Sequence, residues 1–89
     1  MPASNYRILI VDDIVDNLFL LQTVLEAEGY EVEVADNGRF AVAKVEAAPP
    51  DLILLDVMLL DMSGYEVTQR IRQNQELPYI PLLLVTARQ

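Results

Sequence analysis

Three short apolar runs, each closed by a polar residue, constrain the fold of this chain more than any other feature. The runs are residues 7–11, 52–55 and 82–85, and they end at Asp12-Asp13, Asp56 and Thr86. Continuous β-branched and aliphatic runs of this length are typical of strands covered on both faces of a sheet. The chain has 89 residues. That length suits one domain with one core, so we treat residues 1–89 as a single unit.

The segment after the first run predicts an amphipathic helix. Asp16 is the expected N-cap, and Gly29 is expected at the C′ position after the last turn. Apolar residues recur between them at three- and four-residue spacing, at Leu18, Leu21, Val24 and Leu25. Residues 31–34 then alternate in polarity, which predicts a strand with one solvated face at the edge of the sheet.

Two further helices are predicted between the remaining runs. Residues 39–48 stop at two prolines, and the expected packing residues of this helix are Phe40, Ala41 and Val45. The third helix follows a loop over 57–62 and ends near Gln73, and Ser63 and Glu66 fit a capping box at its start. Strands and helices therefore alternate, which predicts a parallel α/β sheet with right-handed crossovers.

Composition excludes several classes of function. The chain has 14 acidic and 6 basic residues with a formal net charge of -8, so nucleic acid and anionic membranes are poor partners. It has neither cysteine nor histidine, so disulfides, zinc–thiolate sites and imidazole catalysis are excluded. Any metal must be held by oxygen. The N-terminus lacks the apolar core of a signal peptide and no run is long enough to span a membrane, so we expect a cytoplasmic location.

The acids after the strands predict a cation site. Ligands of open α/β sheets bind at the carboxyl ends of the strands, beside the topological switch point. If the first and third strands are neighbours, Asp12, Asp13 and Asp56 share one small pocket. Each acid alone is explained by ending a strand or capping a helix, but the three together favour Mg²⁺. A carboxylate there is a potential nucleophile toward phosphorus, and the Thr86 hydroxyl a potential donor to a phosphoryl oxygen.

These residues resemble the receiver domain of two-component response regulators. The matching segments are ILIVDD at 8–13, ADNG at 35–38, PDLILLDVML at 50–59, MSGYE at 62–66 and IPLLLVTA at 80–87. The resemblance implies a flavodoxin-like, doubly wound three-layer sheet in the order 2-1-3-4. It also implies that Asp56 is the phosphoacceptor, that Asp12, Asp13, Asp56 and the Met58 backbone carbonyl bind Mg²⁺, and that Thr86 is the switch hydroxyl. The small Ala87 would leave room for the phosphoryl group.

The chain departs from the family pattern at two positions of the loop after Asp56 and at its C-terminal end. Leu60 stands where the family usually has proline, and Ser63 where it often has aspartate. By the same comparison, the last helix, strand and helix of the family lie beyond the final residue, so we expect a C-terminally truncated receiver. The lysine of that strand has no counterpart, because Lys44, the only lysine, is expected on a solvated helix face. Tyr79 likewise does not replace the family's switch aromatic.

The implied function is that of a phosphorelay receiver whose partner is a histidine kinase or a phosphotransfer protein. A receiver-like interaction or oligomerisation module that is not phosphorylated is the alternative, and a small hydrolase is a weaker third class. Strand four would be an uncovered edge, where each exposed apolar side chain forfeits about 1.5–3 kcal/mol. We therefore expect a homodimer formed through strand four or by exchange of elements.

Overall fold

The computed structural model describes residues 6–85. Thr86 and Ala87, predicted as site residues, lie outside this range. The described residues form four strands and three helices that alternate along the chain. The strands are β1 (Arg7–Val11), β2 (Glu31–Ala35), β3 (Leu52–Asp56) and β4 (Leu82–Val85). The helices are α1 (Val15–Ala27), α2 (Gly38–Ala47) and α3 (Gly64–Gln73).

All strand pairs are parallel, and the sheet order is β2-β1-β3-β4. Ile8 and Ile10 of β1 pack with Leu18 of α1 on one face. Leu9 and Val11 belong to the larger cluster on the other face, which α2 and α3 cover. The sheet is therefore the middle of three layers, as the buried apolar runs predicted. The order changes direction at β1, whose two neighbours are β2 and β3.

Helix α1 begins one residue before its predicted cap. Ile14 occupies the N-cap position, and its backbone N–H donates to Asp12 Oδ1 at 2.9 Å. The prediction of Asp16 as the N-cap is wrong, because Asp16 lies in the first helical turn. Its charge is still favourable there, at the positive end of the helix dipole. Gly29 has φ 98°, which confirms the predicted C′ glycine, since this conformation costs glycine little.

The outer side of α1 is apolar as well as the inner side. Leu18 is buried, and Leu21 and Leu25 pack against the cluster to which it belongs, but Val24, the other residue of the predicted apolar spacing, is half exposed. Phe19 is also exposed. The sheet covers only one side of the helix, so the apolar sequence of α1 exceeds what the described core can bury.

Helix α2 is capped by Asn37, whose Oδ1 accepts a hydrogen bond from Phe40 N at 2.8 Å. Ala41 and Val45 are buried, as predicted, and they lie four residues apart on one face. The prediction of Phe40 as a packing residue is wrong, because its side chain is 52% exposed. It instead lies 5.1 Å from the Lys44 ammonium. The face with Ala41 points to the sheet, so Phe40 and Lys44 turn toward solvent.

Helix α3 confirms one half of the predicted capping box. The Ser63 side chain accepts a hydrogen bond from Glu66 N at 3.1 Å. The Glu66 carboxylate accepts from Arg70 at 3.0 Å, one turn further along the helix. An exposed ion pair at this spacing therefore engages Glu66 instead of the backbone at the helix start.

Strand β4 lies at the edge of the described sheet. It pairs with β3, and no other residue between 6 and 85 pairs with its second edge. Its apolar side chains are partly uncovered, since Leu83 is 56%, Leu84 39% and Val85 45% exposed. The longest helix within residues 6–85 has 13 residues, and no described helix has the length and apolarity to cross a bilayer.

Candidate metal centre

The pairing of β1 with β3 brings three carboxylates together. Val11 is in register with Leu55, so Asp12 and Asp56 follow at the ends of adjacent parallel strands. One carboxylate oxygen from each of Asp12, Asp13 and Asp56 lies within 4.8 Å of the others. This acid cluster lies at the carboxyl ends of β1 and β3, where the sheet order reverses. The predicted proximity of the three acids is confirmed.

Backbone and amide donors orient two of these carboxylates. Asp12 accepts hydrogen bonds from Ile14 N at 2.9 Å and from Asn17 Nδ2 at 3.2 Å. Asp56 is only 5% exposed, and its Oδ1 accepts from Met58 N at 3.2 Å. Buried carboxylates need compensation for their lost hydration, and a cation supplies more of it than hydrogen bonds alone. The cluster is thus held by local structure but keeps a strong negative potential.

The geometry of the cluster fits Mg²⁺. Oxygens around Mg²⁺ lie about 2.1 Å from the ion, so two of its ligands are about 3 Å apart when adjacent and about 4.2 Å when opposite. The separations within the cluster, up to 4.8 Å, need only small side-chain rotations to reach these values. All three donors are hard carboxylate oxygens, which Mg²⁺ prefers. The chemistry of the donor set therefore agrees with the ion predicted from the sequence.

The β3–α3 loop (residues 57–63) is closed tightly beside Asp56. Gly64 N donates to Val57 O at 2.6 Å, and Met58 and Ser63 form an isolated antiparallel bridge. A Cβ on Gly64 would lie 2.5 Å from the backbone oxygen of Asp56, a distance that real side chains do not reach. The loop therefore leaves β3 and enters α3 in a narrow turn whose base includes the buried acid.

A cleft of about 230 Å³ opens from the acid cluster along the α1 face of the sheet. Asp12, Asn17 and Asp56 contribute to its polar part. Its other walls are mainly apolar and include Leu20 of α1 and Val85 of β4. The cluster is thus open on one side, and the adjacent surface favours an apolar partner more than a polar one.

Sequence reasoning missed two residues at this end of the sheet. Asn17 supports Asp12 through its side-chain amide, four residues after the acid pair and on the first turn of α1. Its place at a helix start next to a predicted site is a signal that could have found it. Asp61 accepts hydrogen bonds from Gly38 N at 2.8 Å and Arg39 N at 3.0 Å. No local sequence pattern predicts a contact between residues so far apart along the chain.

The fold and the acid cluster define the class of this protein. The family model of the response regulator receiver domain matches residues 8–89. The chain therefore belongs to the response regulator receiver family of two-component systems, as the sequence motifs indicated. Receiver domains are regulatory modules, and the matched range includes every strand and helix described above except for the first residue of β1.

Curated and solved relatives agree with this assignment. The transcriptional regulatory protein TrcR of Mycobacterium tuberculosis is 41% identical over 86 residues, which are 97% of this chain and 33% of TrcR. The chain thus spans about a third of that relative. The N-terminal domain of a response regulator receiver protein from Methanoculleus marisnigri superimposes with a TM-score of 0.88 at 38% identity, covering 93% of this chain and 68% of that one.

One similar structure was solved with a ligand. The response regulator TrrA of Thermotoga maritima, in complex with Mg(2+)-BeF, has a TM-score of 0.86 and 37% identity, covering 93% of this chain and 70% of that one.

Proposed function

We propose that this chain accepts a phosphoryl group at Asp56 from a histidine kinase or a phosphotransfer protein, with Mg²⁺ bound at the acid cluster. The observation that carries the proposal is the buried Asp56 carboxylate within 4.8 Å of Asp12 and Asp13 at the switch point of the sheet. The Mg(2+)-BeF complex of TrrA, a structural relative, supports the same chemistry.

The proposed step is nucleophilic. A carboxylate oxygen of Asp56 forms a bond to phosphorus while the bond from phosphorus to the donor nitrogen breaks, and the electron pair stays on that nitrogen. The product is an acyl phosphate on Asp56. Bound Mg²⁺ supplies positive charge that neutralises the phosphoryl oxygens in the transition state. Asp12 and Asp13 hold the cation by their carboxylates, and Met58 is assigned a ligand role through its backbone carbonyl.

Two proposed roles fall on residues outside the described range. Thr86 follows β4 directly and is proposed as the switch hydroxyl that donates to a phosphoryl oxygen. Ala87 is proposed to leave space beside the phosphate. Val85 of β4 is in register with the acceptor Asp56 of β3, and Thr86 and Ala87 come next in the sequence, which supports both roles. A change in the position of Thr86 would then alter the surface around β4 and so pass the signal to a partner.

The proposed location is the cytoplasm, and nucleic acid and membranes are not proposed as partners of this domain. The charge of -8 repels both polyanionic surfaces.

A second candidate is an interaction module that self-associates without being phosphorylated. The observation in its favour is β4, an apolar strand with an unpaired described edge next to the apolar cleft. A second copy, pairing through β4 or exchanging elements, would cover both. Self-association does not exclude phosphorylation, so it does not distinguish the two candidates. They differ in Mg²⁺ binding, which the phosphoacceptor needs and the interaction module does not.

A Mg²⁺ titration separates these candidates. We expect the wild-type chain to bind Mg²⁺. Asp13→Asn should raise the Mg²⁺ dissociation constant roughly tenfold or more, because even the loss of a residue that only supports a metal ligand has an effect of this size. Glu28→Gln removes an exposed acid at the far end of α1 and serves as the matched control. Isothermal titration calorimetry gives the dissociation constants. A wild-type chain that does not bind Mg²⁺, or equal binding by Asp13→Asn, would favour the interaction module.

A further inference from the structure

Asp61 joins two parts of the fold that are separate in sequence. Its Oδ1 accepts from Gly38 N at 2.8 Å and its Oδ2 from Arg39 N at 3.0 Å. These are the first two residues of α2, and Asn37 caps the third, Phe40. Side chains therefore accept from three backbone donors at the start of α2, and the single carboxylate of Asp61 in the β3–α3 loop serves two of them.

Met62 makes a second contact between the same two elements. A Cβ on Gly38 would lie 2.5 Å from Met62 Cγ and 2.9 Å from Val67 Cγ2. The Met62 side chain thus lies directly against the backbone of α2, and only glycine allows this approach. The loop touches the helix start through one polar and one apolar contact on adjacent residues, which fixes its position better than either contact alone.

The other end of the same loop touches the acid cluster. Met58 N donates to Asp56 Oδ1 at 3.2 Å, and Met58 is bridged to Ser63. At the tip between these points, Leu60 is 89% exposed, whereas Leu59 packs against the larger core cluster. Only two residues separate Asp61 from Met58 along the chain. A shift of Asp61 is therefore passed through a short stretch of chain to the Met58 backbone, which contacts Asp56.

We infer that Asp61 is a positioning residue: it ties the β3–α3 loop to the start of α2 and so holds the Met58 backbone in place beside the acid cluster. Because such coupling is reciprocal, cation binding at the acid cluster and the hydrogen bonds between Asp61 and the start of α2 stabilise each other. The inference goes beyond the proposed function by linking the site to α2, and its cation readout rests on that function.

The test compares two ways of removing a cap from α2 in the full 89-residue chain. Asp61→Ala removes the hydrogen bonds from the loop, whereas Asn37→Ala removes a cap of the same helix whose side-chain hydrogen bonds stay within residues 36–40. Both variants should melt at a lower temperature. Only Asp61→Ala should raise the Mg²⁺ dissociation constant, by about fivefold. Asp61→Asn keeps one acceptor oxygen and should fall between Asp61→Ala and the wild type.

A second readout does not need the cation. Hydrogen exchange followed by NMR should show faster exchange of the Met58 and Gly64 amides in Asp61→Ala, with wild-type rates in Asn37→Ala. Equal effects of Asp61→Ala and Asn37→Ala on both readouts would overturn the inference, because Asp61 would then act only on helix stability. If the wild type does not bind Mg²⁺, the proposed function fails, and the exchange rates alone decide the role of Asp61.

Discussion

At the scale of single residues, Asp61 shows how the fold acts on one ionisable side chain. Desolvation would raise the pKa of Asp61, but hydrogen bonds from the backbone of Gly38 and Arg39, and from its own and the Met62 backbone, together outweigh it. The pKa of Asp61 is therefore lower than its ordinary value. The carboxylate is ionised at neutral pH, as a charge at the start of a helix should be.

Asp61→Asn should make the chain less sensitive to acid. Because the pKa of Asp61 is lower in the folded than in the unfolded chain, its ionised form stabilises the fold above the unfolded pKa, and this contribution is lost as the pH falls through the folded pKa. The free energy of unfolding should therefore fall more steeply below about pH 4 in the wild type than in Asp61→Asn. Asn37→Ala should keep the wild-type slope. Denaturant unfolding across this range measures it, and parallel profiles for wild type and Asp61→Asn would contradict the prediction.

At the scale of elements, strand ends could be predicted from the sequence and side-chain contacts across the fold could not. Asp12 and Asp56 end apolar runs, so parallel pairing alone places them together. Asp16 was mistaken for a cap because Asp12, four residues earlier, takes the Ile14 N–H. Phe40 was mistaken for a core residue because the rotation of α2 is set by packing of Ala41 on the sheet. The Asp12–Ile14 contact is local, whereas the rotation of α2 depends on tertiary contacts that local patterns do not contain.

Gly64→Ala should disturb the junction between β3 and α3. The new Cβ would meet the Asp56 backbone oxygen at 2.5 Å, and backbone cannot give way as a flexible side chain can. We expect a loss of about 1–3 kcal/mol in the free energy of unfolding, together with weaker Mg²⁺ binding. Tyr65→Ala, at the next, exposed position, is the control and should change both quantities little. Wild-type stability of Gly64→Ala would show that the loop is looser than described.

At the scale of the whole molecule, the described sheet has apolar surface that its own helices leave uncovered. Leu83 on β4 and Leu20 on α1 are both more than half exposed, at 56% and 62%. Val85 and Leu20 line the same cleft. Apolar edges of this kind promote pairing between chains. The proposed self-association therefore depends on two neighbouring features, the exposed apolar edge of β4 and the apolar cleft beside it.

Leu83→Lys should reduce self-association. A lysine on an outer strand opposes edge-to-edge pairing, because its charge would have to be buried between the chains. Phe40→Lys changes a residue of similar exposure on α2, away from the β4 edge, and should leave the association unchanged. Light scattering over a range of concentrations measures the mass. A wild-type chain that stays monomeric at all concentrations, or an equal effect of both variants, would contradict the prediction.

Phosphate uptake at Asp56 is the central claim, and intact-mass measurement after incubation with acetyl phosphate tests it most directly. We predict a gain of one phosphoryl group that requires Mg²⁺, persists in Glu28→Gln and disappears in Asp56→Asn. No gain in the wild-type chain with Mg²⁺ present, or an equal gain in Asp56→Asn, would contradict the account.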